Sequence, residues 1–450
     1  MKALSSPNWI KSGFYSVGSR ASILIFGFGT FYFLVRLLPK NDFGAWSIFL
    51  TITTIIEMSR NGLIQNALIK LLHSYDAESS SKVVTASWVL NVVYSMLVYL
   101  LLVLISPFLQ DMLGMDGLAS MFYYFGITML LLIPISQYNY LQQANFSYNG
   151  IFWTAFVRQG CFFLSVLLLY LLNFRPSVSL LVLIQAGCTL LALFVAFFVA
   201  RKYMVFKFDW EVQILKKVFH FGKYVMGTNI FSLFFKSVDQ LAIGYFLNAS
   251  GVAAYSAAMR LSNMVEYPAT SVAEVAYPYS TAQIKAKGEQ VTKTIYEKSV
   301  GLTLTITLPI VLFIFLFSDF IIFVIAGSQY SEASEILRIT ILFGLVTPFN
   351  RQFGMAMDSS NRPHLNFMLL VLALIINVIT NTVGIQYFGL IGAAYGTLAS
   401  YVIISILGHA ILIKYFDVSF ISIYNAMISF YEQAYQFAIK RMVGDGRQQT

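Results

Sequence analysis

Of the chain's 450 residues, 58% are hydrophobic and only 11% charged, against about 45 to 50% and about 25% in soluble globular chains. So much apolar surface excludes a water-soluble enzyme or binding domain. The net charge of +9 does not mark a nucleic-acid partner, because Lys and Arg gather in short connectors between apolar runs rather than on one soluble face.

The first apolar run, Ala21 to Val35, follows Lys2, Lys11 and Arg20 in the manner of a signal peptide. No small-residue cleavage site follows it, so it reads as a first membrane span. Later runs, such as Val89 to Ile105, Cys161 to Leu172 and Leu180 to Ala200, approach or reach the roughly 20 residues that cross a bilayer core. Breaks at charged, Pro, Gly and Asn clusters divide the chain into twelve predicted helices: 12–37, 43–72, 83–106, 117–142, 147–172, 178–201, 221–247, 252–283, 298–326, 333–358, 364–387 and 389–415. Cys161 and Cys188 lie within such runs without metal-ligand spacing and read as ordinary buried thiols.

The distribution of Lys and Arg tests this count, since both should collect in alternate, cytoplasmic connectors. With the amino terminus inside, Lys70, Lys82, Arg201, Lys202, Lys216, Lys217, Lys285, Lys287, Lys293, Lys298, Arg362 and Lys414 fall on the cytoplasmic side, and only Arg36, Lys40 and Arg175 outside. A missed or invented span would scramble every later connector. Both termini are therefore expected in the cytoplasm. The aromatic, amphipathic tail ends in Lys440, Arg441 and Arg447 and reads as an interfacial helix rather than a thirteenth span. The expected domains are a six-helix lobe over 1–203, a basic amphipathic linker over 204–220, a second six-helix lobe over 221–415 and a cytoplasmic tail over 416–450.

The chain repeats itself at an offset of 209 residues. Gly13, Tyr15, Gly18 and Ser19 fall on Gly222, Tyr224, Gly227 and Thr228, then Ala45-Trp46-Ser47 on Ala254-Tyr255-Ser256, and Glu57 on Glu266. Shared apolar letters are common in membrane chains, whereas a shared intramembrane Glu is rare. Six helices per repeat make the repeats parallel, related by a pseudo-twofold axis along the membrane normal, with a cleft between bundles that suits alternating access. The expected fold class is thus all-α and polytopic.

Charged residues well inside predicted spans include Arg20, Glu57, Arg60, Arg158, Lys236, Asp239, Arg260, Glu266, Glu274 and Arg351. Each costs about 2.5 to 3.5 kcal/mol at a helix centre in lipid, so they must face one another or a wet cavity. Glu57 with Arg60, and Lys236 with Asp239, are three apart and within reach of local ion pairs. Arg20 is near enough to the interface to snorkel. The cations outnumber the carboxylates, and Asn61 and Asn263 lie beside them, so a cleft lined by this set wants an anionic, hydroxyl-rich guest. The planar fork of Arg donates two parallel hydrogen bonds to a phosphate. The candidate substrate-binding residues are Arg20, Arg60, Arg158, Lys236, Arg260, Arg351, Asn61 and Asn263. Glu57, Asp239, Glu266 and Glu274 are candidates for ion coupling. Arg338 and Asp319, close to outer ends, carry no assigned role.

Pro134, Pro268, Pro309 and Pro348 interrupt spans and permit bends, and Gly389, Gly392 and Gly396 read as close helix packing. No phosphate-binding loop, GxSxG elbow, HExxH or Cys/His cluster occurs. No cofactor, metal or catalytic residue is expected, and the chain reads as a transporter rather than an enzyme.

Phe33-Leu-Val-Arg36-Leu-Leu-Pro39-Lys-Asn-Asp-Phe43-Gly44, with Gly62-Leu63 and Ala67-Leu-Ile-Lys70, resembles the opening of the polysaccharide-transporter flippases of the multidrug, oligosaccharidyl-lipid and polysaccharide exporter superfamily. Asp239-Gln-Leu-Ala-Ile-Gly244, Ala254-Tyr255-Ser256-Ala-Ala-Met-Arg260, Ile336-Leu337-Arg338 and Gly389-Leu-Ile-Gly392-Ala393-Ala394-Tyr-Gly396-Thr397 are similar to later stretches of the same families. The resemblance implies two six-helix lobes and transfer of undecaprenyl-pyrophosphate-linked oligosaccharide repeat units from the inner to the outer leaflet of a bacterial plasma membrane. Such transfer serves O-antigen or capsule synthesis, with other polysaccharide-assembly membrane proteins as expected partners, while Glu57, Asp239, Glu266 and Glu274 and the absence of an ATP-site motif point to H+ or Na+ as the expected coupling ion. The rival expectations are a cation-coupled multidrug exporter of the same superfamily and, from another class, a polytopic glycosyltransferase or polymerase.

Overall fold

The computed structural model describes residues 7–72, 74, 77–145, 147–201 and 209–445. Of the expected linker, residues 204–208 lie outside that set, as do Lys2, His73, Lys202 and Arg447. The described residues are 91% helical, with no strand among them. In chain order the helices are α1 (Pro7–Leu37), α2 (Lys40–Leu72), α3 (Ala77–Leu113), α4 (Leu118–Ala144), α5 (Asn149–Leu171), α6 (Val178–Ala200), α7 (Val212–Phe246) and α8 (Ala249–Ser262). There follow α9 (Glu266–Lys287), α10 (Val291–Leu316), α11 (Ser318–Ala326), α12 (Ala333–Thr340), α13 (Phe343–Ser359), α14 (Pro363–Phe416) and α15 (Phe420–Asp445).

By length and composition α1, α3, α4, α5, α6 and α10 suit a bilayer crossing, as does α14. The last is two helices merged across Gly389, which adopts φ 60°, ψ −138°. Those eight apolar segments are completed to twelve spans by α2, α7, α8 with α9, and α12 with α13. The four less apolar spans are the ones that carry most of the charged side chains singled out from the sequence.

Contacts divide the chain into two units: residues 1–237 with 248–253, and residues 238–247 with 254–450. In the first, α1 packs on α5 through aromatic edges, Phe26 and Phe156 having ring centres 5.2 Å apart, while Trp46 of α2 stacks on Phe162 of α5 at 6.1 Å. Residues 212–220, expected within a linker, are the opening turns of α7. Ile214 and Val218 recur at helical spacing and are buried with Leu63, Ile64, Ala67 and Leu68 of α2. Gly222 lets α7 approach the backbone of α2 so closely that a Cβ there would strike the Leu63 carbonyl.

In the second unit, Gly389 reverses the chain so that the two arms of α14 pack side by side. A Cβ on Gly384 would meet the carbonyl of Gly392, and one on Gly396 the carbonyl of Thr380. Pro268 cannot donate to a carbonyl four residues earlier, and the chain tightens to a single 3-10 turn over Asn263–Val265 just before α9. The tail helix α15 lies lengthwise along α10. Ser419 N–H donates to Glu297 Oε1 at 2.9 Å, Gly301 admits Ala426, and Tyr431 O–H donates to the Thr305 carbonyl at 2.9 Å. Both sets of numbers rise together, so the two helices run parallel over this stretch.

Candidate functional site

Polar side chains inside spans gather at one place in each unit. In the first unit, α2 presents Glu57, Arg60, Asn61 and Gln65 along successive turns. Arg60 is 3% exposed, and its Nε has no hydrogen-bond partner. Its surroundings are phenols: Tyr140 of α4 is near enough for a side-chain hydrogen bond, and Tyr94 of α3 lies within electrostatic reach. Tyr140 O–H donates to Asn61 Oδ1 at 2.6 Å, Tyr94 is hydrogen-bonded to Ser59, and Gln65 Nε2 donates to Gln143 Oε1 at 2.5 Å. Nearby, Asn91 donates to Ser136 at 3.0 Å and Gln137 to Ser87. The groups beside this guanidinium are the Tyr140 and Tyr94 phenols, and Glu57 also lies within electrostatic reach of Tyr140. Ion pairs such as Lys82 with Glu211 at 2.9 Å and Arg362 with Glu289 at 2.9 Å lie elsewhere, at helix ends.

The remaining expected residues of this unit lie on other helices. Arg20 of α1 is exposed and Arg158 of α5 half-buried, and Lys236 is exposed on α7. Arg338 of α12 and Asp319 of α11, given no role from the sequence, form an ion pair in the second unit.

The second unit buries a carboxylate. Asp239 of α7 is 2% exposed and accepts a hydrogen bond from Tyr255 of α8 through one oxygen, while its Oδ1 has no hydrogen-bond partner. Thr397 and Asn377 of α14 are also within hydrogen-bonding influence of it. The two arms of α14 are knitted there: Asn381 Nδ2 donates to Asn377 Oδ1 at 2.6 Å and to Thr397 Oγ1 at 2.9 Å. Thr397 in turn donates to Asn377 Oδ1 at 3.2 Å. Tyr401, one turn beyond Thr397, has Glu266, Asp239 and Arg351 as its charged neighbours, and Arg351 donates to Thr270 Oγ1 at 3.3 Å. The structure thus brings Asp239, Glu266 and Arg351 around one buried phenol. Arg260, Asn263 and Glu274 are exposed on α8, the 3-10 turn and α9.

No group of three or more His, Cys, Asp or Glu side chains converges among the described residues. The oxygens around Asp239 come from its own carboxylate, the Asn377 carboxamide and the Tyr255 and Thr397 hydroxyls, a set suited to a proton or a hard monovalent cation rather than a transition metal. Reasoning from charge alone passed over Asn377 and Asn381. Their signal was available as two carboxamides four apart in an otherwise apolar run, which places both on one helix face. At the repeat offset of 209, Asp239 corresponds to Thr30 and Tyr255 to Trp46, so the carboxylate box belongs to the second repeat alone.

Twelve spans in two units, with polar side chains held inside otherwise apolar bundles, define a polytopic all-α membrane protein. The chain belongs to the family described as polysaccharide biosynthesis protein, whose pattern matches residues 33–335. It is 25% identical over 205 residues to the probable low-salt glycan biosynthesis flippase Agl15 of Haloferax volcanii, a match spanning 46% of this chain and 43% of that protein. It is 24% identical over 398 residues to the membrane protein MJ1068 of Methanocaldococcus jannaschii, covering 82% and 78% of the two chains. Among solved structures, the lipid II flippase MurJ in an inward closed conformation superposes with a TM-score of 0.75 at 14% identity, over 95% of this chain and 92% of that one. An inward-facing multidrug resistance MATE family transporter of the MOP superfamily gives 0.72 at 17% identity, over 86% and 93%.

Proposed function

We propose that the protein is a flippase that carries an undecaprenyl-pyrophosphate-linked oligosaccharide from the cytoplasmic to the outer leaflet of the plasma membrane, for assembly of a surface polysaccharide such as O-antigen or capsule. The observation that carries this reading is Arg60: a buried guanidinium whose Nε is left open among tyrosines and carboxamides. An unpaired buried charge is costly, and an anionic guest relieves that cost. Arg offers a pyrophosphate paired donors, while Asn61, Gln65 and Tyr140 offer hydroxyl-rich sugars both donors and acceptors. Arg20, Arg158, Lys236, Arg260, Arg351 and Asn263 are proposed as further contacts along the path, reached by alternating access through a cationic cleft. Both termini are placed in the cytoplasm on the strength of the Lys and Arg distribution.

Coupling to H+ or Na+ is proposed at Asp239, which has one oxygen without a hydrogen-bond partner and lies within hydrogen-bonding influence of Asn377 and Thr397. Glu57, Glu266 and Glu274 are the remaining candidates. A multidrug exporter is the second reading, favoured by the MATE superposition, but an excess of cations within the spans disfavours cationic drugs. A glycosyltransferase or polymerase would turn over sugar nucleotides, whereas a flippase moves its substrate without breaking a bond.

The test is reconstitution in liposomes with a fluorescent pyrophosphate-linked glycolipid, scoring arrival in the opposite leaflet. Wild type transfers it, and Arg60→Ala and Arg260→Ala slow transfer with expression intact. Arg60→Lys, which keeps the charge but loses the fork, falls between. Normal transfer in both alanine variants would remove the cationic mechanism.

A further inference from the structure

A second basic feature of the first unit lies outside the polar column. The opening turns of α7 have two faces. Ile214, Leu215 and Val218 pack into the core against α2 and α3, and Gly222 fixes the distance to Leu63. On the other face Lys216, Lys217, His220 and Tyr224 are exposed, and together with Phe221 they line a shallow cavity of about 470 Å³. Lys70 of α2 sits over the Phe221 ring at 4.5 Å, Lys223 over the Tyr224 ring at 5.0 Å, and His220 meets Tyr224 edge-on at 5.6 Å. Among the described residues no carboxylate lines the cavity. The acid nearest in sequence, Glu211, is engaged by Lys82 at 2.9 Å.

Depth sets what such a cavity meets. The 35 residues of α7 extend about 50 Å at 1.5 Å per residue, well beyond the roughly 30 Å of a hydrocarbon core. The excess falls where the basic residues are, so these turns stand at the level of lipid headgroups. Exposed Trp210 and Phe219 flank them, and aromatic side chains favour that level.

We propose that the cavity formed by Lys216, Lys217, His220, Phe221 and Tyr224 is a binding site for the headgroup of an anionic phospholipid. The lysine amines hold the phosphodiester, and the Phe221 and Tyr224 rings receive the glycerol and the first acyl carbons. Charge complementarity and the aromatic floor favour a lipid over a soluble anion, which has no use for an apolar surface. The site does not depend on the transported substrate, so it stands or falls separately from the flippase reading.

Native mass spectrometry of the full-length protein in detergent, titrated with phosphatidylglycerol or with phosphatidylcholine of the same acyl chains, tests the assignment. Wild type should bind phosphatidylglycerol at least fivefold more tightly, and the Lys216→Gln/Lys217→Gln double variant should lose that preference. Lys285→Gln/Lys414→Gln, which removes the same charge from the second unit, should keep it. A photoactivatable phosphatidylglycerol should label wild-type peptides spanning 216–224, a readout that needs no variant to fold. Equal binding of the two lipids by wild type, an undiminished preference in the first double variant, or an equal loss in the second would overturn the proposal. So would displacement of the bound lipid by inorganic phosphate alone, which would make the cavity a plain anion site, and so would selective labelling by the pyrophosphate-linked glycolipid in place of phosphatidylglycerol.

Discussion

Asp239 and Arg60 are both buried and both lack a full set of partners, yet they make opposite demands on substitution. Asp239→Asn keeps the side-chain volume and an acceptor for Tyr255 while removing a charge that burial disfavours. The variant should therefore fold as well as wild type, with an unchanged or raised Tm in detergent. Its transport should no longer respond to an imposed Na+ or pH gradient, and a gradient response equal to wild type would eliminate Asp239 as the coupling residue. Tyr140→Phe removes the donor to Asn61 and the phenol beside Arg60. It should cost about 1 kcal/mol or somewhat more, because the groups left behind are wholly or partly buried. Thermal unfolding of the purified variant measures that cost. At this scale the sequence shows the charged residues readily, since an intramembrane Arg or Asp stands out against apolar neighbours. It hides their companions. Tyr94, Tyr140, Tyr255 and Tyr401 look like ordinary aromatic bulk in a chain with 27 tyrosines, and only the fold shows which of them point a hydroxyl at a charge.

Helices were legible wherever an apolar run ended at Gly, Pro or Asn. Gly389 is the clearest case: its φ of 60° with ψ of −138° is open to glycine and strained for other residues, and the chain turns back there. Gly389→Ala should cost about 1 to 3 kcal/mol through backbone strain alone, since no neighbouring atom would meet the new methyl. Gly392→Ala should cost at least as much by a different route, its Cβ meeting the Gly384 carbonyl so that the two arms of α14 must separate. Separation also disturbs the Asn377, Asn381 and Thr397 bonds, so Gly392→Ala is expected to weaken gradient-driven transport where Gly389→Ala lowers only Tm. Equal transport per folded molecule in the two variants would show that arm spacing does not reach the box. The opening of α7 was less legible, because Lys216, Lys217, His220 and Lys223 dominate the composition of 212–224 and mask the buried positions Ile214 and Val218. A basic stretch reads as a connector until something packs against its other face.

For the whole molecule, the alternation of basic and neutral connectors is the feature that ties sequence to architecture, and the helix ends agree with it. Described connectors at 38–39, 114–117, 173–177, 247–248 and 327–332 alternate with described connectors at 147–148, 209–211, 288–290, 360–362 and 417–419, and most of the cations lie near the second set. The second repeat was visible because Glu57 and Glu266 coincide at the 209-residue offset. The asymmetry between Asp239 and Thr30 shows that duplication preserved the scaffold while the polar sites diverged. The topology is directly testable, since Cys161 and Cys188 are the chain's two cysteines and replacing both by Ser or Ala leaves a background for single reporters. In intact cells a membrane-impermeant maleimide should label cysteines placed at Asn173 and Gly114. It should spare those at Gly288 and Asn361 until the membrane is opened. A reporter on the exposed face of α15, such as Tyr435→Cys, addresses the tail: labelling only after permeabilisation keeps it at the cytoplasmic interface. Labelling from outside would instead mean that its parallel run along α10 continues across the bilayer, carrying Lys440 and Arg441 to the outer face against the overall charge bias.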